Sequence, residues 1–218
     1  MLQVKDLVCE YPEADGKKVR GLVLSGFQLG DGEACGVTGP SGSGKTTLFH
    51  CLSGLLSPTR GEIRIDGVLL TGLPEKERAR WRAENLGYVF QEPKLLPFLT
   101  IGENIRLSAQ LAGRTVAEEE LQELLKGVDL PGYEDRFPRQ LSGGERQRAA
   151  FVRAIVRRPR LLLADEPTAN LDGRNSERLL DLLLAYQKES GCMLLCASHD
   201  PAVQKRFARS LELRKEED

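Results

Sequence analysis

The eight residues Gly39, Pro40, Ser41, Gly42, Ser43, Gly44, Lys45 and Thr46 constrain this chain more than any other stretch. They fit GxxxxGK[ST], in which small residues let backbone amides turn inward around the phosphates of a nucleotide and bulkier side chains would block that approach. The setting matches, because the loop follows the short apolar strand EACGVTG and Lys45 to Leu55 reads as a helix. A glycine loop arising by chance would not be expected between a strand and a helix start. Lys45 is suited to neutralise the β and γ phosphates and the Thr46 hydroxyl to meet Mg²⁺, while the helix aims its positive end at the same anion. Thr47, next in line, joins the nucleotide-contacting candidates.

A second element is Leu161, Leu162, Leu163, Ala164, Asp165 and Glu166, an apolar run ending in two carboxylates. Buried parallel strands read this way, and ligands of open α/β sheets sit at their C-terminal ends. Alone, such a strand is common and its acids would be taken for a solvated loop end. Beside a phosphate loop, Asp165 is expected to reach Mg²⁺ through water and Glu166 to polarise an attacking water as general base.

The rest of the chain arranges itself around these two. From Leu2 to Gly67 the pattern is strand-like: LQVKDLVCEY alternates, VRGLVLSGFQL follows a polar turn at Ala14 to Lys18, and EIRIDG alternates again. Helical periodicity marks Ile101 to Ala112, Val116 to Lys126 and Glu145 to Arg157, so Glu92 to Arg158 is read as a helical insertion. After it come LLLAD, a helix from Asn175 to Glu189, the strand CMLLCAS and a helix near Pro201 to Phe207. The expected fold is a single α/β domain over residues 1–218. Its phosphate-loop core has a parallel or mixed sheet with an antiparallel β subdomain, formed from 1–91 and 159–218, and a helical subdomain is inserted at 92–158.

Leu141 to Arg148 (LSGGERQR) places a capping serine and two glycines before a helix with apolar residues at Ala149, Phe151, Val152 and Ile155. By itself Ser142 is an ordinary N-cap; with a phosphate loop in the same chain, it marks a second anion-binding helix start. In the order GPSGSGKTT, LSGGERQR, LLLADEP, the chain resembles the ABC-type ATPases over essentially its whole length.

The resemblance implies that Ser142, Gly143, Gly144 and Glu145 of one protomer close over the γ-phosphate held by the phosphate loop of another, in a head-to-tail pair binding two ATP. It also implies that Tyr11 stacks on adenine, that Gln91 senses Mg²⁺ and the transmembrane partner, and that Asn170, Leu171 and Asp172 form a dimer-contacting loop. His199, within Ala197 to Asp200, resembles the switch histidine that holds the γ-phosphate and the attacking water. Taken singly, Tyr11 would be a strand-end aromatic, Gln91 a loop amide and His199 a surface imidazole.

Composition narrows the partners. With 31 basic against 32 acidic residues and a net charge of -1, no global basic field favours nucleic acid. The start MLQVKDLVCE lacks the charged head and apolar stretch of a signal peptide, and no apolar run approaches the ~20 residues a membrane span needs. The expectation is a cytoplasmic subunit held on the inner face of the membrane by separate permease subunits docking near Gln91 and the helical insertion. Five cysteines, Cys9, Cys35, Cys51, Cys192 and Cys196, show no CxxC spacing and read as reduced core thiols.

YVFQEPKLLPFLTIGENI with DEPTANLD looks like the branch of lipoprotein-release, macrolide-efflux and cell-division ATPases, and an end at Asp218 leaves no room for the C-terminal regulatory domain of many importers. A solute importer and a mechanical signalling role are the alternatives within transport-type ATPases. Chromosome-maintenance and translation ATPases of the same type carry long coiled coils or tandem cassettes, and neither is visible here.

Overall fold

The computed structural model describes residues 1–12 and 18–215. In chain order these form β1 (Leu2–Pro12), β2 (Lys18–Leu29), β3 (Ala34–Thr38), α1 (Lys45–Leu52), β4 (Arg60–Ile65), β5 (Val68–Leu69), α2 (Glu75–Asn85) and β6 (Leu86–Val89). There follow α3 (Ile101–Leu111), α4 (Glu118–Gly127), α5 (Gly143–Ile155), β7 (Leu161–Asp165), α6 (Gly173–Ser190), β8 (Met193–Ala197), α7 (Pro201–Gln204) and β9 (Ser210–Glu212). The expected turn at Ala14 to Lys18 lies outside the described residues, apart from Lys18 opening β2.

Two sheets result. The first, in the order β2-β1-β4-β5, is antiparallel throughout. The second, β6-β7-β8-β3-β9, is parallel throughout. The mixed α/β architecture expected from the sequence is the one observed.

The central strands explain how the layers hold together. Along β7, Leu161 and Leu163 enter one hydrophobic core, shared with α1 and the antiparallel sheet, whereas Leu162 and Ala164 enter the other, shared with α3 to α6. On β8, Met193, Leu195 and Ala197 join the first core while Leu194 and Cys196 join the second. Side chains alternate across a strand, so one apolar run supplies both faces, and no polar alternation remains for a reader to see.

Several boundaries differ from expectation. Helix α1 stops at Leu52, before Gly54 at φ +67°, a left-handed position that interrupts the helix. Helix α5 begins at Gly143 because Ser142 is its N-cap, and α7 stops at Gln204, after which Phe207 turns into the core. Helix α2 was not anticipated at all. Its sequence EKERARWRAEN buries no residue fully and packs only Trp81 against the core, so it carries no apolar period; ion pairs from Arg78 and Arg82 to Glu75 and a bond from Arg82 to the Gly54 carbonyl help to hold it. Strands β6 and β9 are short edge strands, also unread.

All five cysteines are buried and free, as expected. Burial pushes the Cys35 thiol up to about 11, which keeps it protonated and unreactive. Among the described residues no helix is long and apolar enough to cross a membrane.

Because adjacent residues of β7 serve different cores, Leu162→Ala and Leu163→Ala should each cost about 2–5 kcal/mol in urea unfolding. A half-exposed strand would show the loss at only one of the two.

Candidate functional site

Since every pair in the second sheet is parallel, the C-terminal ends of its central strands emerge along one edge. Thr38 of β3 leads into the phosphate loop, Asp165 of β7 pairs with Ala197 of β8, and Val89 of β6 pairs with Ala164. The residues expected to act chemically therefore arrive on neighbouring loops, the position where ligands of such sheets sit.

The phosphate loop has the backbone its sequence demands. Gly44, the N-cap of α1, sits at φ 91° with the Gly21 carbonyl only 2.5 Å from where a Cβ would be, so both conformation and space require glycine. A Cβ on Gly39 would likewise meet the Leu213 carbonyl and the Ser43 hydroxyl, and Gly42 adds a further positive φ at the tip. Pro40 and Ser41 lie exposed between them, and the Ser43 amide bonds the Pro40 carbonyl at 3.2 Å. Lys45 folds back on the loop: Nζ donates to the carbonyls of Gly39 at 2.8 Å and Pro40 at 3.1 Å. The buried Ser43 Oγ makes no protein hydrogen bond.

Asp165 is the most constrained acid. Burial raises its pKa, an effect opposed by the hydroxyls of Thr46 and Tyr88. The Tyr88 hydroxyl donates to Oδ2 at 3.2 Å, whereas Oδ1 is buried without a partner. One buried carboxylate oxygen thus has no protein partner, an arrangement suited to a hydrated cation. No cluster of three or more His, Cys, Asp or Glu side chains that could hold a metal ion exists among the described residues. Gln91 is exposed, two residues beyond the end of β6.

Glu166 occupies a left-handed conformation, φ 47°, uncommon for a side chain of its kind. Its amide bonds the Ala197 carbonyl at 3.0 Å, and its Oε2 lies 2.9 Å from His199 Nδ1. The strained backbone turns the carboxylate toward the histidine loop, and strain of this sort gathers at functional sites. That loop is pinned by Ser198, whose amide bonds Val37 and whose hydroxyl accepts the Asp200 amide.

Tyr11 lies 40% exposed at the end of β1, its ring over Gly21 and its hydroxyl 3.1 Å from Thr47 Oγ1. An exposed aromatic tethered to α1, beside the phosphate loop, is well placed to meet a planar ring.

The second helix start is equally well formed but stands elsewhere. Ser142 and Glu145 form a capping box, with Glu145 Oε2 accepting the Ser142 amide at 2.7 Å and the Ser142 hydroxyl accepting the Glu145 amide at 3.3 Å. The Ser142 backbone amide and the Tyr133 hydroxyl hold the Glu145 carboxyl below its usual range. Ser142 and Gly143 are exposed while Gly144 is buried. Helix α5 seats its apolar face in the core of α3, α4 and α6, and α1 seats its own in the other core. The main neighbours of α5 are β6, α3, α4 and α6; those of α1 are β2 and β7.

Several participants carried no sequence signal. Tyr88, on the short edge strand β6, donates to Asp165 and stacks on Phe90 with ring centroids 3.9 Å apart. Gln147, buried in α5, donates to the Phe90 carbonyl at 2.7 Å, just before Gln91, while Asn104 binds four backbone groups of the following loop. Residue type alone does not announce such partners, whether distant in the chain, as for Tyr88 and Gln147, or on the adjoining loop, as for Asn104.

A phosphate loop between a parallel strand and a helix, with an acidic pair at the same end of the sheet two strands away on β7, defines a nucleotide-hydrolysing P-loop protein. Residues 24–169 match the family model described as "ABC transporter", and the chain belongs to that family as an ATPase subunit. It is 32% identical to the ATP-binding cassette MJ0796 in a dimeric post-hydrolysis state bound to ADP and Pi, with a TM-score of 0.90 covering 100% of this chain and 97% of that one. A second dimeric structure of MJ0796, a bacterial ABC transporter cassette, matches at 32% identity and TM-score 0.90, covering 98% of this chain and 94% of that one. At 29% identity and TM-score 0.75 comes cbiO1 from Clostridium perfringens, part of the ABC transporter complex cbiONQ, covering 91% of this chain and 78% of that one.

Tyr88→Phe keeps the ring and removes only the donor to Asp165. The variant should lose about 1–3 kcal/mol in urea unfolding, as for a hydrogen bond to a buried charged group. An unchanged midpoint would mean the phenol is not holding Asp165.

Proposed function

We propose that two copies of this ATPase subunit close head to tail over two ATP, the Ser142 to Glu145 helix start of one facing the phosphate loop of its partner. The observation that carries this reading is the separation of the two phosphate grips: α1 and α5 are seated in different cores of one chain. An anion held at Gly39 to Thr46 would then be faced by α5 of the partner. The likeness to dimeric MJ0796 structures supports it.

In that closed pair Lys45 exchanges the Gly39 and Pro40 carbonyls for the β and γ phosphates, the inward backbone amides complete the cradle, and Tyr11, steadied by Thr47, faces adenine. Thr46, Asp165 and Gln91 would hold Mg²⁺, which supplies charge neutralisation between the phosphate oxygens when bound. Glu166 accepts the proton of a water attacking the γ-phosphorus as the bond to the ADP oxygen breaks, and His199 keeps that carboxylate aimed. The helix dipole and amides of the partner's α5 stabilise charge on the transferring phosphoryl group. ATP thereby favours the closed pair, and hydrolysis releases it.

For the membrane partner we favour the groove beside the Gln91 loop. It holds about 370 Å³, with apolar residues such as Leu55, Phe90 and Leu111 on its walls and the basic Arg82, Lys94, Arg153 and Arg157 among them. Leu55 and Leu111 stand 56% and 61% exposed, more apolar surface than a free subunit needs to show. A permease segment seated there would hold the subunit on the inner membrane face. The loop sequences favour export, lipoprotein release or mechanotransmission, and likeness to a component of cbiONQ supports assembly with further subunits.

Glu166→Gln should lower kcat by about 10²–10⁴-fold while ATP affinity stays within a few-fold, read by phosphate release and nucleotide titration. Turnover close to the parent's would remove Glu166 from the role of base.

A further inference from the structure

We propose that Asn175 is a positioning residue for the shared ATP site, locking the Ser142 to Glu145 helix start and the Asn170 to Asp172 loop into one register. This rests on the head-to-tail reading, in which both segments face the partner. Asn175 lies in the first turn of α6 and touches neither substrate nor water in that scheme.

Four contacts converge on its side chain and amide. Arg148 of α5 donates from one guanidinium nitrogen to Asn175 Oδ1 at 2.8 Å, and its Nε donates to the Val128 carbonyl at 2.9 Å. Asn175 Nδ2 donates to Asp172 Oδ2 at 2.8 Å, and the Asn175 amide donates to Asp172 Oδ1 at 2.9 Å. The amide orientation is forced, since arginine only donates and an ionised carboxylate only accepts. Those bonds hold the Asp172 carboxyl below its usual range.

The fourth contact is steric. A Cβ on Gly144 would lie 2.5 Å from Asn175 Oδ1 and 2.6 Å from its Cγ. Gly144 has no left-handed backbone to require glycine, so the requirement comes from Asn175 pressing on the helix start. One side chain is thus clamped between α5 and the cap of α6, while Ser142, Gly143, Asn170 and Asp172 beside it remain exposed. A partner protomer meets both segments as one rigid surface. Were the clamp released, each would have to be ordered separately on closure, which weakens association without altering the phosphate loop.

The clamp can be broken and rebuilt by chemistry. Asn175→Asp keeps an acceptor for Arg148 but sets a carboxylate against Asp172. Adding Asp172→Asn restores every bond with donor and acceptor exchanged: the new amide donates to the new carboxylate, its oxygen still accepts the backbone N–H at 175, and asparagine caps a helix as well as aspartate.

The experiment uses the full chain in a Glu166→Gln background, reading ATP-induced dimerisation by analytical ultracentrifugation and monomer affinity with trinitrophenyl-ATP. Expected are a dimer for the background chain, a dimer dissociation constant raised about tenfold or more for N175D with unchanged nucleotide affinity, and recovery for D172N/N175D beyond that of D172N alone. N175D dimerising like the background, or the double exchange failing to recover, would overturn the clamp. A background chain that stays monomeric with ATP would instead sink the head-to-tail reading itself.

Discussion

Everything at the catalytic edge depends on a five-residue strand being buried on both faces. Strand β7 sits between β6 and β8, and its leucines feed two separate cores. A strand so enclosed cannot slip by one residue without exchanging the contents of both cores, so the position of Asp165 and Glu166 at its end is set by packing. That rigidity lets Asp165 be buried with one oxygen unpartnered, and lets Glu166 be held at φ 47° against His199. A loose loop would relax both.

The second consequence concerns what one chain lacks. Both helix starts carry glycine, Gly44 as the N-cap of α1 and Gly143 and Gly144 as the first residues of α5, but they hang on opposite cores. The sheet between them gives α5 a firm seat, and Gln147 reaching to Phe90 ties that seat to the Gln91 loop. Movement of the helical side on closure would therefore be felt at the groove beside Tyr88 and Phe90. In the proposed scheme this is how hydrolysis becomes motion of a membrane subunit.

Much of this was legible in the sequence, and the exceptions have physical reasons. The phosphate loop, the acids Asp165 and Glu166 after the apolar run and the Ser142 cap were readable because each role admits few residue types: glycine for a crowded or left-handed backbone, serine for a cap, an apolar run for a buried strand. Helix α2 was not, because one aromatic, Trp81, among arginines and glutamates is too little to mark a period, although that face packs on the core. Tyr88, Gln147 and Asn175 were not, because their meaning lies in partners 77, 57 and 27 residues distant, the last being Arg148. A tyrosine on a strand looks the same whether or not it steadies an acid.

The claim that each ATP is shared between two chains can be tested by cross-linking. One preparation would carry Ser41→Cys and another Ser142→Cys, both exposed positions, against a background of five buried native thiols. Mixed with ATP and a mild oxidant in the Glu166→Gln background, they should give a disulfide-linked band at twice the chain mass, absent without ATP. If ATP produces no mixed cross-link while the chains still bind nucleotide, the site is not built from two protomers in this way.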